Sequence, residues 1–190
     1  MTSELDTLKM LRQSLDQEDD DASILPILSN HHKYLKEYAN VMISPKSTVN
    51  LKQDVAHLFF TIFEMHSGAE KKSLYKALKQ STNEDLRLEG LRSLDEHEYA
   101  TDLVSELKNM GCMYMWSNPI EAKMNVLSEI VLNHLNGEEK VMFPMTEKYI
   151  SEEMLMDLAD NYLEHCRIFL DTQMRDLPSE VSRSDVMSFV

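Results

Sequence analysis

At 190 residues the chain is the size of one ordinary domain, and with 43% hydrophobic and 27% charged residues it can build a core but holds no apolar run long enough to cross a membrane. The formal net charge of −14 repels phosphate backbones and anionic lipid, so neither nucleic acid nor membrane is expected as a partner. Met1 to Asp16 lacks the basic and apolar regions of a secretory leader, which predicts a cytoplasmic protein.

Only four glycines and five prolines interrupt the chain, and so few helix breakers over this length predict an all-α fold. Residues 1–17 read as a short amphipathic helix with Leu5, Leu8, Leu11 and Leu15 on one side, followed by an acidic run, Glu18–Asp21. The first main helix is expected over Ala22–Met42, where Leu25, Leu28, His32, Leu35, Ala39 and Met42 fall at spacings of three and four. After a loop at Pro45, a second and long helix is expected over Val49–Gln80, with Val55, Phe59, Ile62, Phe63, His66, Glu70, Leu74 and Leu78 on its stripe. Thr82 or Asn83 caps a third helix over Glu84–Met110, which ends at Gly111 and carries His97, Ala100, Val104 and Leu107 on one face. Ser117 or Asn118 caps a fourth, with Pro119 in its first turn. Its stripe is Leu127, Val131, His134, Glu138 and Val141 or Met142, and it is expected to stop near Pro144. A fifth helix is expected over Glu152–Met174. Short connections make neighbours antiparallel, so the architecture is an up-down-up-down four-helix bundle with additional N- and C-terminal helices. The division is an N-terminal extension over 1–22, a bundle over 23–176 and a tail over 177–190.

His66 and Glu70 stand four residues apart, as do His134 and Glu138, and each pair projects from one helix face about 6 Å apart along the axis. Both pairs lie on apolar stripes, and His32 and His97 occupy the matching stripes of the first and third helices. Each of the four helices therefore directs an imidazole inward, and two add a carboxylate. Burying two ionised carboxylates without a counter-charge costs several kcal/mol, and no Lys or Arg shares these faces. Two metal ions resolve the conflict, with two imidazoles each, both carboxylates bridging, and room for an oxo or hydroxo bridge and a small exogenous ligand.

These segments, ILSNHHKYLKEY, FEMHSGAEKKSLYKAL, DEHEYATDL and NHLNGEEKVMFPM, resemble the hemerythrin-like HHE cation-binding domain over about Ile24 to Tyr149. The four-His, two-Glu pattern is most similar to the di-iron domain of iron–sulfur-repair proteins. The adjacent cysteines that those proteins carry do not occur, and no second histidine accompanies His97 as it does in oxygen-carrying hemerythrins. The resemblance implies metal ligation by His32, His66, Glu70, His97, His134 and Glu138, and two iron ions, although zinc or manganese also suits imidazole and carboxylate donors. It implies a non-haem protein that binds or senses oxygen, nitric oxide or peroxide in oxidative or nitrosative stress, as a monomer or a homodimer. The alternatives are an iron-dependent enzyme (peroxide or nitric oxide turnover, or iron donation in cluster repair) and a metal-stabilised regulatory or iron-storage module.

His31 and His32 are adjacent and only one can lie on the inner stripe; the apolar spacing favours His32, with His31 the alternative ligand and otherwise expected beside the site or at an interface. His57, about half a turn from His66, is expected to face solvent, and His165 to pack or face solvent. Glu139 is expected to point away into water. Tyr34, Tyr38 and Tyr99 lie near ligand positions and are expected as core aromatics, one of which could reach a bound oxygen species. Cys112 and Cys166 stand outside any CxxC pattern and are expected as free thiols.

Overall fold

The computed structural model describes residues 4–17 and 22–177; the acidic run Glu18–Asp21 and the tail beyond Leu177 lie outside them. The described residues form helices and no strands: α1 (Glu4–Leu15), α2 (Ile24–Ile43), α3 (Val49–Lys72), α4 (Leu74–Lys79), α5 (Glu84–Asn109), α6 (Asn118–Gly137), a π-helical turn (Glu138–Met142), α7 (Phe143–Tyr149) and α8 (Glu152–Asp176). Helices α2, α3, α5 and α6 close into a ring in which each touches the next, α8 lies along α2 and α3, and α1 packs on α8. The four-helix bundle with an added helix at each end is the architecture that the periodicity predicts.

Local chemistry explains most of the boundaries. Thr48, Asn83 and Ser151 accept from the backbone N–H groups of Leu51, Leu86 and Met154, satisfying donors that the first turns of α3, α5 and α8 cannot pair internally. Gly111 adopts φ +71° just past α5, a conformation that costs a side-chain-bearing residue energy. Pro119 sits in the first turn of α6, where its missing N–H is no loss.

Two boundaries differ from expectation. The long second helix breaks at Ser73 (φ −105°, ψ −91°), whose amide donates to the carbonyls of both Ala69 and Glu70 and whose hydroxyl donates to Ala69. The chain then restarts as α4. The fourth helix, conversely, passes Pro144 instead of stopping there. Proline lacks an N–H and its ring collides with the carbonyl four residues back in a regular helix. Here the preceding turn widens, the Phe143 N–H donating to the Glu138 carbonyl, and α7 continues to Tyr149.

Two apolar clusters fill the interior. One gathers Leu8, Leu15, Leu28, Met65, Leu94 and Met142 with the buried face of α8; the other gathers Leu35, Phe59, Phe63, Ala100, Val131 and Leu135. Every bundle helix crosses from one cluster to the other at its histidine: Leu28 and Leu35 flank His32, Phe63 and Ala69 flank His66, Leu94 and Ala100 flank His97, and Val131 and Met142 flank the His134–Glu138 pair. A polar layer is thereby sealed above and below by hydrocarbon.

Candidate metal centre

The six residues singled out from the sequence meet in that layer. His32, His66 and Glu70 have no exposed surface, Glu138 keeps 1%, and His97 and His134 keep 4% each. Glu138 Oε2 lies 3.4 Å from His32 Nε2 and 3.4 Å from His134 Nε2. Glu70 Oε2 lies 3.2 Å from His66 Nε2 and 3.5 Å from His97 Nε2. Each carboxylate thus faces imidazoles from two helices. Donor atoms of His32, His66, Glu70 and Glu138 come within 4.8 Å of one another, and so do those of Glu70, His97 and His134, with Glu70 common to both groups.

The unpaired atoms test whether metal fits. Among the described residues, buried His32 Nε2, His66 Nε2, Glu70 Oε1 and Glu138 Oε2 make no hydrogen bond. An orphaned buried polar atom costs about 1–3 kcal/mol, and four gathered in one layer are a set that cations satisfy. Imidazole nitrogen and carboxylate oxygen are borderline-to-hard donors that suit divalent or trivalent first-row metals.

The far sides of three rings are held. His32 Nδ1 lies 3.0 Å from Glu139 Oε1, and Lys36 Nζ donates to the other oxygen of Glu139 at 2.6 Å. His134 Nδ1 lies 2.8 Å from Glu96 Oε2. His66 Nδ1 lies 2.9 Å from the Tyr162 hydroxyl, which also lies 2.7 Å from His31 Nδ1. With Nδ1 occupied, Nε2 faces the cavity, the outer-sphere support that metal-bound histidines require. Glu139 therefore departs from expectation. It is part-buried and grips the outer edge of His32, while its neighbour Glu138 faces the inner edge. The widened turn that starts at Glu138 directs both consecutive carboxylates at one ring.

The electrostatics follow from dry surroundings. Burial, with neighbouring imidazoles adding to it, holds His66 and His97 well below the usual histidine range and lowers His31 to about 3, so these rings are neutral and can offer lone pairs. Burial also pushes Glu70 well up, helped by the charge of Glu138. Glu138 is nonetheless drawn down, because His134 and His32 outweigh its burial. For His134 burial opposes charging, but Glu138 and Glu96 overcome it and the net direction is up. Two carboxylates in one dry layer oppose each other's charge, which moves Glu70 up while the imidazoles around Glu138 hold it down.

Two tyrosines belong to this layer and escaped the sequence. Tyr75, fully buried on α4, donates to Glu138 Oε1 at 2.5 Å and lies 3.1 Å from Glu70 Oε2, 3.3 Å from His97 Nε2 and 3.5 Å from His134 Nε2. Tyr75 is five residues past Glu70, off its face in a continuous helix; the break at Ser73 brings it back. Tyr162 sits on the buried stripe of α8 with Leu155, Ala159, Cys166 and Leu170, and a polar aromatic on an apolar stripe was the available signal. Tyr34 and Tyr99 are exposed and Tyr38 is part-buried, so none is a core aromatic by the site. His57 and His165 are part-buried away from the cluster. Cys112 and Cys166 are free and buried, and burial raises the Cys166 thiol to about 12, which makes it unreactive.

A cleft of about 650 Å³ runs from the surface to His97 between α3, α5 and α8, lined by Ser67, Gly68, His97, Thr101, Phe169 and Gln173 among others. Gly68 leaves open space there, with nothing within 4 Å of where its Cβ would stand. Ion pairs Lys71–Glu98 (3.0 Å) and Lys108–Glu64 (2.6 Å) join residues of its rim, and Asp102 adds a carboxylate that neither lysine pairs with, so the approach is mildly acidic.

No curated protein and no solved structure matches the chain. The family model of the hemerythrin HHE cation binding domain matches residues 23–146, which include all six converging His and Glu residues. With a buried His/Glu cluster that fits metal on four bundle helices, the chain is a metal-binding helical domain and belongs to the hemerythrin HHE cation-binding family.

Proposed function

We propose that the chain is a non-haem di-iron protein that binds or senses a small diatomic or peroxide: oxygen, nitric oxide or hydrogen peroxide. The observation that carries this reading is the convergence of buried donors in two overlapping groups that share Glu70, with His32, His66, Glu70 and Glu138 each keeping an unpaired atom. His32 and His66 would hold one ion, His97 and His134 the other, and Glu70 and Glu138 would span them. Iron would supply redox chemistry and an open coordination position. The chain's own part is to keep the His66 and His97 rings neutral, to fix Nε2 inward through Glu139, Tyr162 and Glu96, and to exclude bulk water with two apolar layers. The mildly acidic cleft at His97 suits a small uncharged molecule better than an anion.

The test is direct. Protein loaded with ferrous iron under anaerobic conditions and dialysed should hold two irons per chain. Exposure to oxygen, nitric oxide or peroxide should then change its visible spectrum. Two irons with spectra indifferent to all three ligands would remove the sensing reading, and zinc or no metal in protein purified without added metal would remove the di-iron one. Steady consumption of nitric oxide or peroxide above free-iron controls would move the assignment to an enzyme.

A further inference from the structure

The two groups of donors are unequal. His32, His66, Glu70 and Glu138 make four, whereas Glu70, His97 and His134 make three. The smaller group is the one that surrounds the Tyr75 hydroxyl. Its oxygen stands 3.3 Å from His97 Nε2, 3.5 Å from His134 Nε2, 3.1 Å from Glu70 Oε2 and 2.5 Å from Glu138 Oε1. Two donors at right angles, each about 2.1 Å from one ion, stand about 3 Å apart, so this spacing suits neighbours in one coordination sphere.

A structural tyrosine needs one acceptor, and a buried phenol normally has one or two partners. Tyr75 has four, and all four are predicted metal donors. Nothing else in the interior competes for its oxygen among the described contacts. The backbone also serves its placement. Ser73 interrupts the helix, and Gly90 lets α4 lie against α5: a Cβ on Gly90 would come within 2.7 Å of Leu78 Cβ.

We propose that Tyr75 is a seventh metal ligand: its phenolate oxygen binds the ion held by His97 and His134. The proposal rests on the di-iron reading above. Binding breaks the phenol O–H bond, the oxygen lone pair goes to the metal, and the proton leaves to solvent. A hard anionic oxygen donor favours the ferric over the ferrous state, as tyrosinate does on other irons.

The full chain, reconstituted with ferrous iron and oxidised by ferricyanide, tests this. Iron content is measured first. The visible and resonance Raman spectra are measured next on native protein, on Tyr75→Phe, on Tyr162→Phe as the control for the other buried tyrosine, and on native protein carrying ring-deuterated tyrosine. The expected result is a phenolate-to-iron absorption band with enhanced tyrosine ring modes that shift on deuteration, persist in Tyr162→Phe and vanish in Tyr75→Phe. The reduction potential of Tyr75→Phe should rise. Two irons in the native protein without deuterium-sensitive ring modes would overturn the proposal and leave the di-iron reading standing, and this arm needs no variant to fold. Modes that survive in Tyr75→Phe and vanish in Tyr162→Phe would also overturn it. Native protein that takes up no iron would sink both.

Discussion

Glu139, Tyr162 and Glu96 touch no predicted metal position, yet they decide which nitrogen His32, His66 and His134 turn inward. Removing such support usually weakens metal affinity about 10–100-fold. Glu139→Ala and Glu96→Ala should each do so in competitive chelator titrations, with helical circular dichroism unchanged; unaltered affinity would show that packing alone orients the rings. His31 makes a different prediction. Its pKa of about 3 in the folded metal-free protein compares with 6.5 in an unfolded chain. Between these values the unfolded chain binds more protons, so stability falls as the pH drops below 6.5, by up to about 1.4 kcal/mol per pH unit. His66 and His97, also lowered, act in the same direction. Glu70, raised, acts oppositely, taking stability away as pH rises above its unfolded value of 4.5. Three histidines outweigh one carboxylate. Urea melts of metal-free protein should therefore show stability falling from pH 6.5 to 5, and His31→Gln should make the fall shallower; equal slopes would mean that His31 titrates as an exposed ring. At this scale the six inner donors were legible, because each sits on an apolar stripe where a charge or an imidazole demands explanation. Glu139 was not, since a regular helical wheel turns it outward and only the widened turn brings it back.

Whole helices were legible where apolar spacing ran unbroken, as in α2 and α5, and their ends where a cap or Gly111 marked them. The break at Ser73 was not, because FEMHSGAEKKSLYKAL keeps its helical spacing straight through it. The passage beyond Pro144 was not, because proline's usual effect is to end a helix and widening the turn is the less common escape. Tyr75 was hidden by the first of these departures. Its placement depends on the close approach of α4 to α5 at Gly90, where an added Cβ would meet the backbone-fixed Cβ of Leu78 rather than a side-chain tip that could swing aside. Gly90→Ala should destabilise the protein by about 1–3 kcal/mol, which for a chain of this size lowers the melting temperature by about 2–4 °C per kcal/mol. A melting temperature unchanged by Gly90→Ala would mean that α4 can withdraw freely from α5.

Across the whole molecule the bundle was readable and the use of its outer helix was not. Nothing in the spacing of α8 says that Tyr162 reaches past the bundle surface to share its hydroxyl between His31 and His66. A ligand bound only by the folded state stabilises it by mass action, and metal at this layer would tie α2, α3, α5 and α6 together. Metal-loaded protein should melt higher than chelator-treated protein, with the difference diminished in the double variant Glu70→Ala, Glu138→Ala. Equal melting of the loaded and stripped native forms would show that the helices need no ion to hold the layer. Hydrogen exchange along α8 should quicken on chelation, since His66 is then released from one of the two things that hold it; exchange confined to α3 would detach α8 from the centre.

Tyr162 also has a place in time. All six predicted donors and Tyr75 lie in the first 138 residues of the chain, whereas the helix that covers them begins at Glu152. A ribosome delivers residues in that order. The donor set is complete before the residue that closes over it has been made, so the nascent chain passes through a stage with every donor synthesised and its outer wall still missing, and loading can be finished by the arrival of a helix instead of requiring one to open.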